Sequence, residues 1–238
     1  MNYRNSHKNQ GKGSSYKLSF EIQKYRKIIW NFEKQYLEKI LSHYFINKKI
    51  FHLDFACGTG RILKFLERKT YISFGVDVST EMIKVAKNSV QSKIICGDIT
   101  KKKILKNKKF NLVTAFRFFP NAEKKLRKEV LKNIVPHIKK DGLLVLNNHR
   151  NKNSFLERII RLFFGKLYSG MNLNEVKLMV KDYDLELVDI FSIGLFRDSY
   201  KKNFLIGLIY IIELLLSRLF KWKSYGYNQI YVFKKIKN

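Results

Sequence analysis

The stretch Ile50-Phe51-His52-Leu53-Asp54-Phe55-Ala56-Cys57-Gly58-Thr59-Gly60 decides how the rest of the chain is read. A short apolar run ends in an acid, passes through a loop of small residues and enters an amphipathic segment at Arg61-Ile62-Leu63. That is the order of a strand, a tight turn and a helix N-terminus, the corner at which nucleotides are bound. Small residues let the backbone approach a ligand closely, and the N–H groups of the first helical turn attract an anionic group. A dinucleotide fingerprint begun at Gly58 would need a small residue at position 63, where the chain has Leu63. An acid instead stands just before the loop.

Working outward, the same unit repeats. Tyr71-Ile72-Ser73-Phe74-Gly75-Val76-Asp77 reads as a second strand ending in an acid, 23 residues beyond Asp54. About 20 residues is the spacing at which a carboxylate meets ribose hydroxyls in nucleotide folds. Ser79, ahead of Met82 and Ile83, serves as the following helix's N-cap, which leaves Asp77 for that role. Ile94 to Ile99 is a third short strand, with Asp98 at its end, and Lys101 to Lys109 is a solvated lysine loop. Phe110 to Phe116 is the fourth strand and Glu123 to Ile138 an amphipathic helix. Gly142 to Asn147 is the fifth strand, followed by Asn148, His149 and Arg150.

The Asp54 to Gly60 segment resembles motif I of the class I S-adenosylmethionine-dependent methyltransferases, Asp-x-Gly-x-Gly-x-Gly, with Ala56 in place of the first glycine. The small-molecule and quinone methyltransferase branch is the nearest in type. The resemblance covers residues 50–150 and implies S-adenosylmethionine as methyl donor, with no metal. It implies a cofactor site built from Asp54, Ala56, Cys57, Gly58, Thr59, Gly60, Asp77, Val78, Met82, Asp98, Ile99 and Phe116. Asp98 would meet the adenine amino group, the Ile99 backbone its ring nitrogen, and Met82 its face. It further implies an N-terminal lid over the cofactor, with Tyr16, Tyr25 and Arg26 as lid residues. Subclasses drop out on composition. No Asn/Asp-Pro-Pro-aromatic loop follows the fourth strand, no acids cluster there for magnesium, and Cys57 and Cys96 lie away from a cytosine nucleophile's place.

Ligands of open α/β sheets lie beyond the carboxyl ends of the strands. Arg117 and His149 follow the fourth and fifth strands, so these two are the expected catalytic residues. Arg117 suits a carboxylate or phosphate on the acceptor. His149, with an ordinary pKa near ~6.5, suits taking a proton as the methyl arrives.

The chain has 238 residues, 45% of them hydrophobic, enough for one α/β domain with added helices. Two cysteines point to a reducing compartment without disulfides, and Met1 to Ser15 is polar, with no apolar core of a secretory signal. A net charge of +29 attracts polyanions, although the abundance of Lys, Asn, Ile, Phe and Tyr also matches A/T-rich coding. Residues 1–15 read as a flexible basic tail ahead of a single domain, 16–238. Within it, 16–49 form the lid, with helical spacing from Phe20 to Phe45, 50–150 the cofactor core and 151–238 the substrate region. Phe155 to Tyr168 alternates basic and apolar residues, Met171 to Tyr183 is a helix, Leu185 to Ile193 the sixth strand, and Ile230 to Phe233 a seventh, edge strand. Residues 204–216 form an intensely apolar helix, flanked by Lys201, Lys202, Arg218, Lys221, Trp222 and Lys223. The run falls short of the ~20 residues that cross a bilayer, and Glu213 interrupts it. It is either a roof over the substrate or an interfacial helix on an anionic membrane.

The expected fold is thus α/β: a Rossmann-like seven-stranded methyltransferase sheet with strand 7 antiparallel, flanked by helices, with N-terminal lid helices and a helical insertion between strands 6 and 7. The expected activity is methyl transfer to oxygen, nitrogen or carbon of a small-molecule or lipid-linked acceptor. RNA methylation comes next, and a non-catalytic cofactor-binding scaffold third. The expected location is cytoplasmic, with peripheral attachment to the inner face of the membrane.

Overall fold

The computed structural model describes residues 12–101, 104–165, 170–194, 206–218 and 225–237. Seven strands form one sheet: β1 (Phe51–Phe55), β2 (Ile72–Asp77), β3 (Lys93–Cys96), β4 (Phe110–Ala115), β5 (Ile138–Asn148), β6 (Leu185–Ile193) and β7 (Asn228–Lys235). Their order is β3-β2-β1-β4-β5-β7-β6. The five N-terminal strands run parallel, with Phe51 opposite Ile72, Leu53 opposite Val113 and Val113 opposite Leu144. Apolar residues at successive positions of β4 and β5 are buried on both faces, as helix-covered parallel strands require.

Helices α3 (Arg61–Glu67), α4 (Thr80–Lys87) and α5 (Lys124–Ile134) are the crossovers. Ser79 caps α4, accepting a hydrogen bond from the Met82 amide as its sequence position predicted. The helix expected to reach Ile138 ends at Ile134. Pro136 lacks an N–H, and Val135–His137 tighten into a 3₁₀ turn. β5 begins four residues before the expected Gly142. Ile138 pairs with Phe110, and the strand bulges around Asp141, at φ 61, before Leu143 pairs with Leu112.

The sheet separates two cores. On one face Leu53, Phe110, Val113, Leu144, Tyr231 and Phe233 meet α5 and α7 (Leu173–Val180). On the other, Leu112, Leu143, Val145, Ile230 and Val232 meet α2 (Lys24–Tyr44) through Tyr25, Ile29, Phe32, Leu37 and Ile40. Burying each such side chain stabilises the fold by about 1.5–3 kcal/mol.

One expectation is corrected. β7 is antiparallel but lies between β5 and β6, so the edge strand is β6. Ile230, Tyr231 and Val232 are apolar without alternation and fully buried, which suits an inner strand, whereas β6 is half-exposed along most of its length.

Helix α1 (Lys12–Ile22) begins inside the stretch whose polar composition suggested a tail. It packs on α4, so closely that a Cβ on Gly13 would stand 2.7 Å from the Glu81 carbonyl oxygen. α6 (Phe155–Phe164) is capped by Ser154 and α7 by a reciprocal Asn172–Glu175 capping box. α8 (Ile206–Arg218) buries Ile209 and Glu213 against α2 and β6 and exposes Leu208, Ile211 and Leu215. Lys201, Lys202, Lys221, Trp222 and Lys223, expected to flank this helix, lie outside the described residues, as does the Arg218 side chain. No helix among the described residues is long and apolar enough to cross a membrane.

Candidate functional site

The parallel register brings nearly every sequence-predicted site residue to one edge of the sheet. Asp54, the Ala56–Gly60 loop, Asp77, Val78, Asp98, Ile99, Phe116, Arg117 and His149 follow or end β1 to β5 at their carboxyl ends, while Met82 lies inside α4. The turn after β1 is held in left-handed conformations at Ala56 (φ 54), Gly58 (φ 55) and Gly60 (φ 79). Glycine adopts these freely. Alanine does so at about 1 kcal/mol, so the turn survives the Ala56 replacement with some strain. A Cβ at Gly58 would meet nothing within 4 Å, so the loop presents bare backbone to open space.

Asp54 is 2% exposed. Its Oδ1 accepts from the Thr114 hydroxyl at 2.7 Å, and Oδ2 is buried without a hydrogen bond. Burial pushes its carboxyl up from 3.8 to about 7, against the opposing pull of the Thr114 hydroxyl and the Arg61 charge. Thr114 belongs to a polar row that sequence reasoning missed. His52, fully buried two residues before Asp54, meets Ser73 Oγ through Nδ1 at 2.8 Å and Thr114 Oγ1 through Nε2 at 2.9 Å. Ser73 in turn meets the Thr70 hydroxyl at 2.8 Å, which donates to the Leu66 carbonyl at 2.9 Å. Burial lowers His52 from 6.5 to about 3, so it is a neutral imidazole. A signal was present: on a strand, His52 and Asp54 share one face.

Asp77 does not stand clear of the backbone. Its Oδ2 accepts from the Gly58 amide at 2.7 Å and its Oδ1 from the Ser79 amide at 2.9 Å, so it ties the loop after β1 to the start of α4. Asp98 receives Thr100 through both amide and hydroxyl. Ile99, Met82 and Phe116 are buried, while Val78 is exposed. Cys57 is a buried thiol pushed far up by burial and by Asp54 and Asp77, which removes it as a nucleophile.

At the acceptor end, Arg117 sits in a left-handed conformation, φ 59, a strain that clusters at functional sites. His149 is 7% exposed, and its Nδ1 makes no hydrogen bond. Burial, then the charges of Arg117, Arg150 and Arg26, hold its pKa well below 6.5, so it is neutral at physiological pH. Of the expected lid residues, Tyr16 lies on α1 and Tyr25 and Arg26 on α2, and Tyr25 turns inward to Glu213 of α8 at 3.3 Å. Sequence reasoning also missed Phe20 and the Arg61–Glu33 ion pair, which locks α3 to α2. Among the described residues no group of three His, Cys, Asp or Glu could hold a metal ion.

Residues 53–146 match the family model for a methyltransferase domain. Residues 53–146 thus carry the methyltransferase-domain match, within a sheet of the Rossmann-like methyltransferase fold. The domain is 29% identical over 156 residues to the uncharacterized protein MJ1252 of Methanocaldococcus jannaschii, a match covering 62% of this chain and 59% of that protein. The chain thus matches less than two thirds of that relative's length. Among solved structures, the methyltransferase sheet is similar to magnesium protoporphyrin IX methyltransferase of Synechocystis with bound S-adenosylhomocysteine. That likeness has a TM-score of 0.62 at 12% identity and covers 95% of each chain. An S-adenosylmethionine-dependent methyltransferase of Clostridium acetobutylicum gives a TM-score of 0.56 at 17% identity, covering 87% of this chain and 91% of that one. The N-methyltransferase NodS of Bradyrhizobium japonicum, in complex with S-adenosylhomocysteine, gives 0.56 at 14%, covering 87% and 88%. At these identities the likeness concerns the fold.

Proposed function

We propose that this protein transfers the methyl group of S-adenosylmethionine to an oxygen, nitrogen or carbon nucleophile on a small-molecule or lipid-linked acceptor. The observation that carries the cofactor assignment is Asp54. A buried carboxylate oxygen without a partner, beside a loop of bare left-handed backbone, fits the ammonium end of an amino-acid ligand. The cofactor supplies an already activated methyl sulfonium. Asp54 would hold its ammonium, the Gly58–Gly60 backbone would face its carboxyl end, Asp77 would take the ribose hydroxyls and Asp98 would face the base. Displacement then needs alignment more than acid–base help. Arg117 would fix the acceptor. His149, neutral because burial and three arginines disfavour its cation, would accept a proton only from a nucleophile that sheds it in the displacement.

A lipid-linked acceptor is favoured by the apolar surfaces near this edge. Phe155, Ile159, Leu162 and Phe163 make an exposed stripe on α6, and Leu208, Ile211 and Leu215 another on α8. With a net charge of +29, such stripes suit peripheral attachment to an anionic membrane. The RNA reading rests on charge alone. The deciding experiment incubates the protein with S-adenosylmethionine labelled in the methyl group and a cell extract split into lipid, RNA and small-molecule fractions. Label in the lipid or small-molecule fraction supports the proposal. Label in RNA overturns the acceptor class, and cofactor binding without transfer to any fraction indicates a scaffold.

A further inference from the structure

Asn147, near the end of β5, is a polar side chain that the fold leaves unanswered. Along β5, Leu143 and Val145 join the core beneath α2, while Leu144 and Leu146 join the core beneath α5 and α7. Asn148 keeps the alternation, donating through Nδ2 to the carbonyl of Met171, itself part of the α5 and α7 core. Asn147 therefore points to the α2 face. Its neighbours there are apolar: Phe116, which follows the Ala115–Leu146 pair, and Ile230, its partner on β7. Asn147 is fully buried, yet neither its amide oxygen nor its amide nitrogen makes a hydrogen bond. Burying such a group unpaired is costly, so the exception calls for a partner from outside the fold. His149, two residues on, continues this face past the strand's end. It is 7% exposed, its Nδ1 is equally unanswered, and the charge of Arg26 on α2 acts on it.

The register places this pair relative to the cofactor corner. Asp54 is level with Thr114 and Val145, so Asn147 lies two strands across and two residues farther toward the carboxyl edge, about 12 Å from Asp54. Phe116 leads directly into Arg117, so the amide stands on the acceptor side of that edge. What would answer these atoms follows from their valences. The amide offers N–H donors and an acceptor oxygen, and a neutral imidazole with its proton on Nε2 offers an acceptor at Nδ1. A carboxylate has no proton for the two acceptors, and an ammonium has no lone pair for the amide N–H groups. A hydroxyl has both. The charges that weigh on His149 are those of Arg117, Arg150 and Arg26, which favour an oxygen that sheds its proton over a nitrogen that gains one. A base held so far below its usual range suits an acidic hydroxyl.

Resting on the methyltransferase reading above, we propose that the acceptor is a phenol or enol methylated on its hydroxyl oxygen, with Asn147 Nδ2 donating to that oxygen and His149 Nδ1 receiving its proton. The acceptor oxygen bonds the methyl carbon as the carbon–sulfur bond breaks, the bonding pair staying on sulfur. The hydroxyl proton passes to Nδ1 and from there to water.

Asn147→Leu and the smaller Asn147→Val separate this role from a structural one. An amide unpaired in the empty protein is replaced without loss, so Tm is expected to hold or rise in at least one of the two. A Tm lowered in both shows the amide already bonded, to the protein or to a buried water, and overturns the proposal. The protein, saturated with S-adenosylhomocysteine, is then titrated with para-fluorophenol, fluorobenzene and para-fluorobenzylamine while the fluorine resonance of each is followed. The phenol is expected to bind at least about tenfold more tightly than the other two, and to lose that preference in the more stable variant. Similar affinities for all three, or a preference kept in the variant, overturn the proposal. If S-adenosylhomocysteine itself does not bind, the methyltransferase reading fails, and the Tm values and the phenol titration of the free protein still decide Asn147. The last arm is product chemistry, with labelled methyl donor and cell extract. The label is expected to resist mild alkali and to leave as methyl iodide in hydriodic acid, as an ether does. Release as methanol by alkali, the mark of an ester, or retention through hydriodic acid, the mark of nitrogen or carbon methylation, refutes the inference.

Discussion

Cofactor affinity should depend on pH in a window set by Asp54. Its carboxyl, 2% exposed, is raised by burial from 3.8 to about 7. The neighbouring histidines do not share that window, since His52 sits at about 3 and His149 well below 6.5. A group whose folded pKa is raised stabilises the empty protein at low pH, and that contribution is lost as pH rises through the folded value. About three units correspond to about 4 kcal/mol, lost between pH 3.8 and about 7. A bound ammonium reverses the preference by favouring the carboxylate. At pH 6 only about one tenth of Asp54 is ionised, so affinity for S-adenosylmethionine should be about tenfold below its plateau, ~1.4 kcal/mol. It should level off above pH 7.5, before the ligand's own amine deprotonates. Calorimetry in buffers of different ionisation enthalpy should detect about 0.9 proton released per molecule bound at pH 6 and about 0.5 at pH 7. Asp54→Asn should bind weakly and without either dependence. An affinity that is flat from pH 6 to 7.5, with no buffer dependence, would refute the assignment of the buried Oδ2 to the cofactor.

Asp77→Ala, which removes the clasp on the Gly58 amide as well as a ligand carboxylate, should lower S-adenosylmethionine affinity by more than tenfold, ~1.4 kcal/mol, by the same calorimetry. Ala56→Gly relieves a left-handed alanine and should raise unfolding stability by about 1 kcal/mol, read as ~2–4 °C in Tm. Gly60→Ala should do the reverse and cost ~2 kcal/mol or more, because its Cβ would stand 2.9 Å from Val90 Cγ1 at a φ of +79. Anionic liposomes should co-sediment the protein at low salt and release it at high salt, and Leu162→Glu should weaken the attachment. Equal absence from anionic and neutral pellets would leave these apolar faces without a membrane role.

Strand ends were legible in the sequence because acids and small residues there interrupt apolar runs, as at Asp54, Asp77 and Asp98. Pairing partners were not. His52 reads as a strand residue among apolar ones, and only the register, His52 against Ser73 and Asp54 against Thr114, turns four separate residues into a row. Strand order is equally non-local. Ile230 to Val232 carried the mark of an inner strand in its lack of alternation, yet its place at the chain's end suggested an edge. The first turn of α1 escaped notice because Lys12-Gly13-Ser14-Ser15 has little helix propensity and is held by contact with α4 instead.

Thr114, Ser73 and Thr70 each own a single hydroxyl proton, and neutral His52 owns one ring proton. The row from Asp54 to the Leu66 carbonyl has five contacts, so these four protons fill it completely only when a fifth sits on Asp54. With a proton on Asp54 Oδ1, every donor points away from the loop: Asp54 to Thr114, Thr114 to Nε2, Nδ1–H to Ser73, Ser73 to Thr70 and Thr70 to Leu66. With Asp54 ionised, Thr114 turns back to it and one of the other contacts loses its proton: Thr114–Nε2 if His52 keeps Nδ1–H, or one beyond the ring if His52 carries Nε2–H. A proton on Asp54 Oδ1 thus holds a buried imidazole it never touches in one tautomer, Nδ1–H. The ¹⁵N shifts of the His52 ring would show the Nε2–H form only once that proton has left.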